Sequence, residues 1–428
     1  MIEICIFDTK VRFMIKAIAC FCLFCFFYTT HAQQSGPAAG GDAPTAGTTS
    51  MTTVGSRDLA LVPRAGGEGS GFAATPGAAN PTISVTSATP GAAATAGGEE
   101  VTMGKVRLNF SLDAAGEPVY AVSYGDKPVV LPSRLGFVLA EDSTFYKGFS
   151  LLGVERKSFD SVWQPVWGEV RNIRDHYEQL TVHLKDGSAR LLDIAFRVFA
   201  DGVGFRYVFP KQQGLNYFVV MDESTQFHMA GDHKTFWIPG DYDTNEYPYT
   251  ASALSAVDNA ALVAASTDIA VRVAPDRYAV QTPLMMKTAD GLYVNIHEAG
   301  LMDYATMQLH VDAASLTLSA RLVPDAVGNK AYLHAPAHTP WRTIVVSDKA
   351  ADILASKLIL NLNEPSRLAT TDWIHPMKFV GVWWEMQTGK GTWSYSDYAD
   401  SLSPSGGLIP SGNSWETRSY WTRSTSRP

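Results

Sequence analysis

The chain of 428 residues is nearly half apolar, at 46% hydrophobic and 11% aromatic, and its formal net charge is −8. That length leaves room for two or three domains, and the apolar content is ample for a large core. Lys and Arg are dispersed with no run among them, which argues against nucleic acid as a partner, because phosphate binding needs clustered positive charge.

From Met14 the chain reads Met-Ile-Lys, then residues 17–28 are apolar, and Thr30-His31-Ala32 closes the segment. This is a basic start, a short apolar stretch and an A-x-A-like cleavage site, so residues 1–32 are expected to be a signal peptide and the mature protein to be exported, to the periplasm or beyond. Residues 1–13 then read as an upstream extension. The apolar run is shorter than the about 20 residues a helix needs to span a bilayer, so no stable membrane span is expected after cleavage. Cys5, Cys20, Cys22 and Cys25 all lie in this leader, which leaves the mature chain without disulfides or thiolate metal sites. Residues 33–104 are rich in Ala, Gly and Thr, too poor in apolar surface to offset ordering entropy, and are expected to be a disordered linker. Ile83-Ser84-Val85 is its one short strand-like stretch.

At Lys105 the character changes. Val106, Leu108, Phe110 and Leu112 alternate with polar residues, the period-2 pattern of a half-buried strand. Residues 120–124 lead into a Gly125-Asp126 turn. Leu180, Val182 and Leu184 precede Asp186-Gly187, and Leu192, Ile194, Phe196 and Val198 precede Asp201-Gly202, with Phe205, Tyr207 and Phe209 following. Strands punctuated by Asp-Gly turns indicate an antiparallel arrangement. With further strands at 284–287, 292–297, 316–322 and 343–346, residues 105–346 read as one mainly β domain, a large antiparallel β-sandwich. Ser347 is placed to cap a helix carrying Ala351, Leu354 and Leu358, so residues 347–376 read as a helical linker ended by Pro365. Residues 378–384 form a continuous apolar run, as in a strand buried on both faces. That fits the first strand of a (β/α)8 barrel, which takes roughly 250 residues. Residues 377–412 are therefore expected to begin a barrel that this sequence does not complete, and residues 413–428, without helical periodicity, to be an aberrant tail from an interrupted reading frame.

No HExxH, GxSxG or GxGxxG pattern occurs. The distinctive stretches pair aromatic rings with acids: Trp163-Gln-Pro-Val-Trp167-Gly-Glu169, then Trp237 with Asp241, Asp243, Glu246 and Tyr247 in a loop bounded by Gly and Pro, and His297-Glu298. Rings beside carboxylates suit sugars, whose C–H faces stack on rings while their hydroxyls take hydrogen bonds. Against this, large aromatics such as Trp163, Trp167 and Trp237 commonly fill sandwich cores, an acidic loop is commonly only solvated, and His176, His297 and Glu298 in or near strands read first as structural. Glu385 follows the first barrel strand, where barrel active sites are built.

In order along residues 105–392, the chain resembles glycoside hydrolase family 97. The resemblance is carried by Trp163-Gln-Pro-Val-Trp-Gly-Glu169, Phe196-Arg-Val-Phe-Ala-Asp-Gly-Val-Gly-Phe-Arg-Tyr207, Trp237-Ile-Pro-Gly-Asp-Tyr-Asp-Thr-Asn-Glu246-Tyr247, Asn295-Ile-His-Glu-Ala299, Thr339-Pro-Trp-Arg-Thr343, Leu360-Asn-Leu-Asn-Glu-Pro365 and Gly381-Val-Trp-Trp384. It implies an N-terminal β-supersandwich packed on a (β/α)8 barrel, in exported α-glucosidases and α-galactosidases acting on oligosaccharides. It further implies a calcium ion in the inverting branch, held by barrel glutamates and one sandwich glutamate, which falls on Glu246. Glu246 and Glu385 are thus the expected sugar-facing residues, and the family's catalytic carboxylates belong to later barrel strands. The expectation is hydrolysis of α-glucosidic bonds by the complete enzyme, with this chain inactive alone and its calcium binding weak or absent; the alternative is a non-catalytic carbohydrate-binding β-sandwich.

Overall fold

A computed structural model describes residues 82–87 as backbone, together with residues 98–266 and 273–375. All of these belong to the unit Gly71–Pro428. The leader, most of the linker, the run 378–384 and Glu385 lie outside the described residues.

The described chain is mainly antiparallel β. An 11-stranded sheet contains, among others, Ser150–Trp163, Ile173–Lys185, Leu191–Phe199, Gly202–Phe209, Trp341–Ser347, Tyr293–Ala299, Leu284–Lys287, Lys234–Trp237 and Thr250–Ala253 in that lateral order. An 8-stranded sheet runs from Ala279–Gln281 through Met307–Asp312, Thr317–Leu322, Gln226–Met229, Lys127–Arg134, Pro118–Tyr124 and Val106–Leu112 to Glu99–Met103. A small 3-stranded sheet is built from Ala331–His334, Tyr217–Glu223 and Phe137–Leu139.

The two large sheets face each other because their alternating apolar residues have only each other to cover them. Val106, Leu108 and Phe110 point inward from one sheet, and Leu180, Val182, Phe196 and Phe205 from the other, each at most 2% exposed. Rings interdigitate across the gap: Phe110 lies 5.8 Å from Phe196 and Tyr120 lies 5.0 Å from Phe205 between centroids. Such pairs add about 0.5–1.5 kcal/mol beyond the area they bury. The turns read from the sequence are present, with Tyr124 opposite Lys127 and Phe199 opposite Gly202.

Two features differ from the sequence reading. The sheets extend upstream of Lys105: Glu99–Met103 pairs with Val106–Leu112, and the strand-like stretch Ile83-Ser84-Val85 lies in the strand Thr82–Ser87, paired with Ser150–Trp163. Backbone pairing onto an existing edge needs few apolar side chains, so composition does not reveal it; in Glu99–Met103 only Val101 is buried. The single capped helix after the sandwich is instead two short helices, Ala350–Ala355 and Leu358–Leu362. Ser347 ends the preceding strand, and its hydroxyl donates to Asp352 at 2.7 Å. Ser356 leaves helical backbone and donates to Asp201 at 2.7 Å, which breaks the helix there. Leu354 is consequently exposed, while Leu358 and Leu362 are buried on the outer face of the large sheet with Phe159, Tyr177, Phe199, Trp341 and Val345. Close approach requires glycine beneath them: a Cβ on Gly202 would lie 2.9 Å from Leu358 Cδ1, and one on Gly204 would lie 2.5 Å from Leu362 Cδ1.

Candidate functional site

Glu246 stands in the long hairpin loop of residues 238–249, which joins the paired strands Lys234–Trp237 and Thr250–Ala253. The loop is held along its length. Pro239 bridges to Val280, and the Gly240 amide donates to the Ala279 carbonyl at 2.8 Å. A Cβ at Gly240 would meet Ala279 Cβ at 2.7 Å and Gln308 Oε1 at 2.8 Å, so only glycine permits that approach. Side-chain amides from neighbouring strands hold the loop's carbonyls: Gln308 Nε2 donates to the Asp241 carbonyl and Gln281 Nε2 to the Thr244 carbonyl, both at 2.6 Å.

Asp241 organises the loop from inside. It is 4% exposed. Its Oδ1 accepts the amides of Asp243 at 2.8 Å and Thr244 at 3.2 Å, and its Oδ2 accepts the Tyr247 hydroxyl at 2.8 Å and the Val273 amide at 3.0 Å. A buried carboxylate needs this density of donors to persist. The result is a division of labour: Asp241 and Tyr247 face inward, while Asp243 and Glu246 are exposed on the fixed turn. Sequence spacing grouped the three acids and could not separate these roles. Gln281 and Gln308, which impose them, lie far along the chain and carry no motif.

The other candidates separate. Trp237 is 2% exposed and donates to Ser252 Oγ at 2.9 Å, a core residue. Trp163 donates to Asn361 Oδ1 at 2.9 Å and ties its strand to the second short helix. Trp167 is 62% exposed at the tip of its hairpin. His176 lines a shallow cleft of about 200 Å³ with Arg174, Asp201, Lys357 and Asn361. His297 is half-buried with Nδ1 3.1 Å from Thr282 Oγ1, and burial, then Arg342, push its pKa down.

Glu298 is structural. Arg342, fully buried, donates from Nη1 to Glu298 at 2.6 Å, and from Nε and Nη2 to Glu223 at 2.9 and 2.6 Å. Thr225 and Tyr304 also donate to Glu223, and the Met307 amide donates to Glu298. Burial pushes the Glu298 pKa up while Arg342 opposes it. These are the acids that burial brings together among the described residues, and both are turned into the core, closed to substrate. The sequence signal was Arg342 itself, the one charge in the wholly buried strand Trp341–Ser347.

Calcium takes six to eight oxygen ligands. Asp241 has its oxygens committed to protein donors, which leaves Glu246 and Asp243 as the loop's exposed carboxylates. Among the described residues no group of three or more His, Cys, Asp or Glu is placed to hold a metal ion.

Layered antiparallel sheets place the chain among mainly β proteins. The sequence profile of the glycosyl-hydrolase 97 N-terminal domain matches residues 103–365, and the chain belongs to that glycoside hydrolase family. A retaining α-galactosidase of Bacteroides thetaiotaomicron is 25% identical over 325 residues, covering 67% of this chain and 45% of that protein. A probable retaining α-galactosidase of Streptomyces bingchenggensis is 28% identical over 293 residues, covering 65% and 39%. Among solved structures, a family 97 enzyme of Pseudoalteromonas sp. in complex with panose is 32% identical with a TM-score of 0.60, over 68% of this chain and 41% of that one. The same bacterium's enzyme in complex with acarbose gives 31% and 0.58. The chain thus spans less than half the length of these relatives. No helix among the described residues is long and apolar enough to cross a membrane.

Proposed function

We propose that this chain supplies the carbohydrate-facing N-terminal domain of an exported glycoside hydrolase that cleaves α-glucosidic bonds in oligosaccharides, and that Glu246 is the group it turns towards the sugar and towards calcium. The observation that carries this reading is the exposed Glu246 on a loop braced by buried Asp241. Bracing presents a carboxylate at fixed geometry without ordering cost on binding. Calcium ligation by Glu246 requires oxygens from outside the described residues. The sugar specificity leans on the panose and acarbose complexes of the relative at 31–32% identity. The names of the curated relatives favour α-galactosides as the second reading.

Glycosidic cleavage needs two carboxyl groups facing each other across the bond. Glu223 and Glu298 both bind Arg342 in the core, and Asp241 is saturated by donors, so none of these can serve as one of that pair. We accordingly assign the catalytic pair to residues of the complete enzyme outside the described ones, and propose Glu385, which also lies outside them, as a further sugar contact. Calorimetry of the purified chain with panose, with and without calcium, tests the reading, alongside assays on nitrophenyl α-glucoside and α-galactoside. Heat that Glu246→Gln reduces at least several-fold is expected, without turnover. Binding indifferent to Glu246, or turnover of either nitrophenyl glycoside by this chain, refutes it; panose heat that is insensitive to calcium leaves only the recognition module.

A further inference from the structure

The small sheet has two unlike faces. Phe218, Val220, Ala331 and Leu333 are buried against the core. Period-2 alternation turns Tyr217, Tyr332 and His334 the other way, where Tyr217 is 51% and Tyr332 48% exposed and His334 is also exposed. Register places Tyr217 opposite His334 and Val219 opposite Tyr332. The Tyr217 and His334 rings lie 4.7 Å apart between centroids. Tyr332 is then the diagonal neighbour of Tyr217, about 7–8 Å away across the ladder.

Tyr332 is fixed in place by its hydroxyl. The Tyr332 hydroxyl donates to Asp325 Oδ2 at 2.6 Å and accepts from Asn329 Nδ2 at 2.8 Å. Asp325 is itself anchored, accepting the Val327 and Asn329 amides at 2.9 Å on its other oxygen. Tyr217 packs beside His334. A ring latched by its hydroxyl while its face stays half open is prepared to stack, and little conformational entropy is lost when it does.

We propose that Tyr217, Tyr332 and His334 form a surface platform that binds a neutral pyranose chain, on a different sheet from the Glu246 loop. Sugar rings present apolar C–H faces to the aromatic rings, and their hydroxyls meet the phenols and the Asp325–Asn329 rim. A protein partner fits less well, because the aliphatic side chain placed among the rings, Val219, is itself half-buried. The platform holds a long substrate near the enzyme without taking part in its cleavage. Its assignment to an α-glucan rests on the reading of the chain as a carbohydrate-facing domain.

Affinity electrophoresis of the full chain in gels containing soluble starch, pullulan or galactomannan tests the proposal. Retardation in the α-glucan gels is expected, weakened about 5- to 10-fold by either Tyr217→Ala or Tyr332→Ala. Tyr332→Phe, which keeps the ring, retains most of it. Circular dichroism melts confirm that the variants are folded. An unretarded wild type, or a folded Tyr217→Ala/Tyr332→Ala double variant retarded like the wild type, overturns the platform. Retardation abolished by Glu246→Gln alone also overturns it and leaves the loop reading standing. Tyrosine-dependent retardation in galactomannan only supports the platform and overturns the α-glucan reading.

Discussion

Replacing Asp241 by alanine removes the centre of the Glu246 loop. Four donors lose their acceptor, three of them at 2.8–3.0 Å and the Thr244 amide at 3.2 Å. At roughly 1 kcal/mol net for each good hydrogen bond, and somewhat more for a charged acceptor, the loss is about 3–4 kcal/mol. If that loss is coupled to global unfolding, Tm falls by roughly 6–16 °C for a domain of this size. Should the loop loosen locally instead, Tm moves less and the amides of Asp243, Thr244 and Val273 exchange faster with solvent. Either way Glu246 loses its fixed position, and panose affinity is expected to fall while the core is unchanged. Differential scanning calorimetry and amide exchange by mass spectrometry measure both outcomes. An Asp241→Ala protein with Tm within a degree of wild type and undisturbed exchange at those amides would refute the bracing argument.

Three further outcomes follow from the core and the outer face. Arg342→Met strands Glu223 and Glu298 without their cation and is expected to destabilise by about 3–5 kcal/mol at pH 7; protonation of Glu298, whose pKa burial already raises, should relieve part of this at pH 5, and denaturant titrations at the two pH values check it. Asp175 is half-buried with one carboxylate oxygen unpartnered, and burial raises its pKa from 3.8 to about 6. An acid raised in the folded state binds its proton there when the unfolded chain has already lost it, so stability falls as pH rises from about 4 through 6. Asp175→Asn should therefore stabilise by on the order of 2–3 kcal/mol at pH 8 and little at pH 3.5, read from thermal melts. Gly204→Ala should push Leu362 away from the sheet and destabilise by about 1–3 kcal/mol, whereas Gly187→Ala, with open space around its Cβ position, should leave Tm nearly unchanged.

Much of the architecture was legible because burial writes itself into alternation wherever one face of a strand meets the core and the other meets water. Val106–Leu112 was readable for that reason. Ser150–Trp163 was not: nearly all its residues are half-buried, so neither face stands out. The strands upstream of Lys105 join by backbone pairing that composition does not record. The break at Ser356 depends on Asp201, a partner distant in sequence. At the candidate site, motif and loop chemistry located Asp241, Asp243 and Glu246. Which of them faces out was decided by Gln281 and Gln308 on other strands, and a linear reading has no access to that. The platform tyrosines escaped notice because Tyr217 and Tyr332 meet only through strand register.

The seating of the second short helix on Gly202 and Gly204 also bears on engineering. With Leu358 and Leu362 buried in the sheet's outer cluster and Asn361 donating to the Arg174 carbonyl at 2.9 Å, this stretch belongs mechanically to the sandwich and not to whatever succeeds it. A chimaera that joins this domain to a foreign partner should be spliced beyond Asn363. A junction at Asp348, just past the strand Trp341–Ser347, would strip the outer cluster of its lid and leave Trp341 facing solvent.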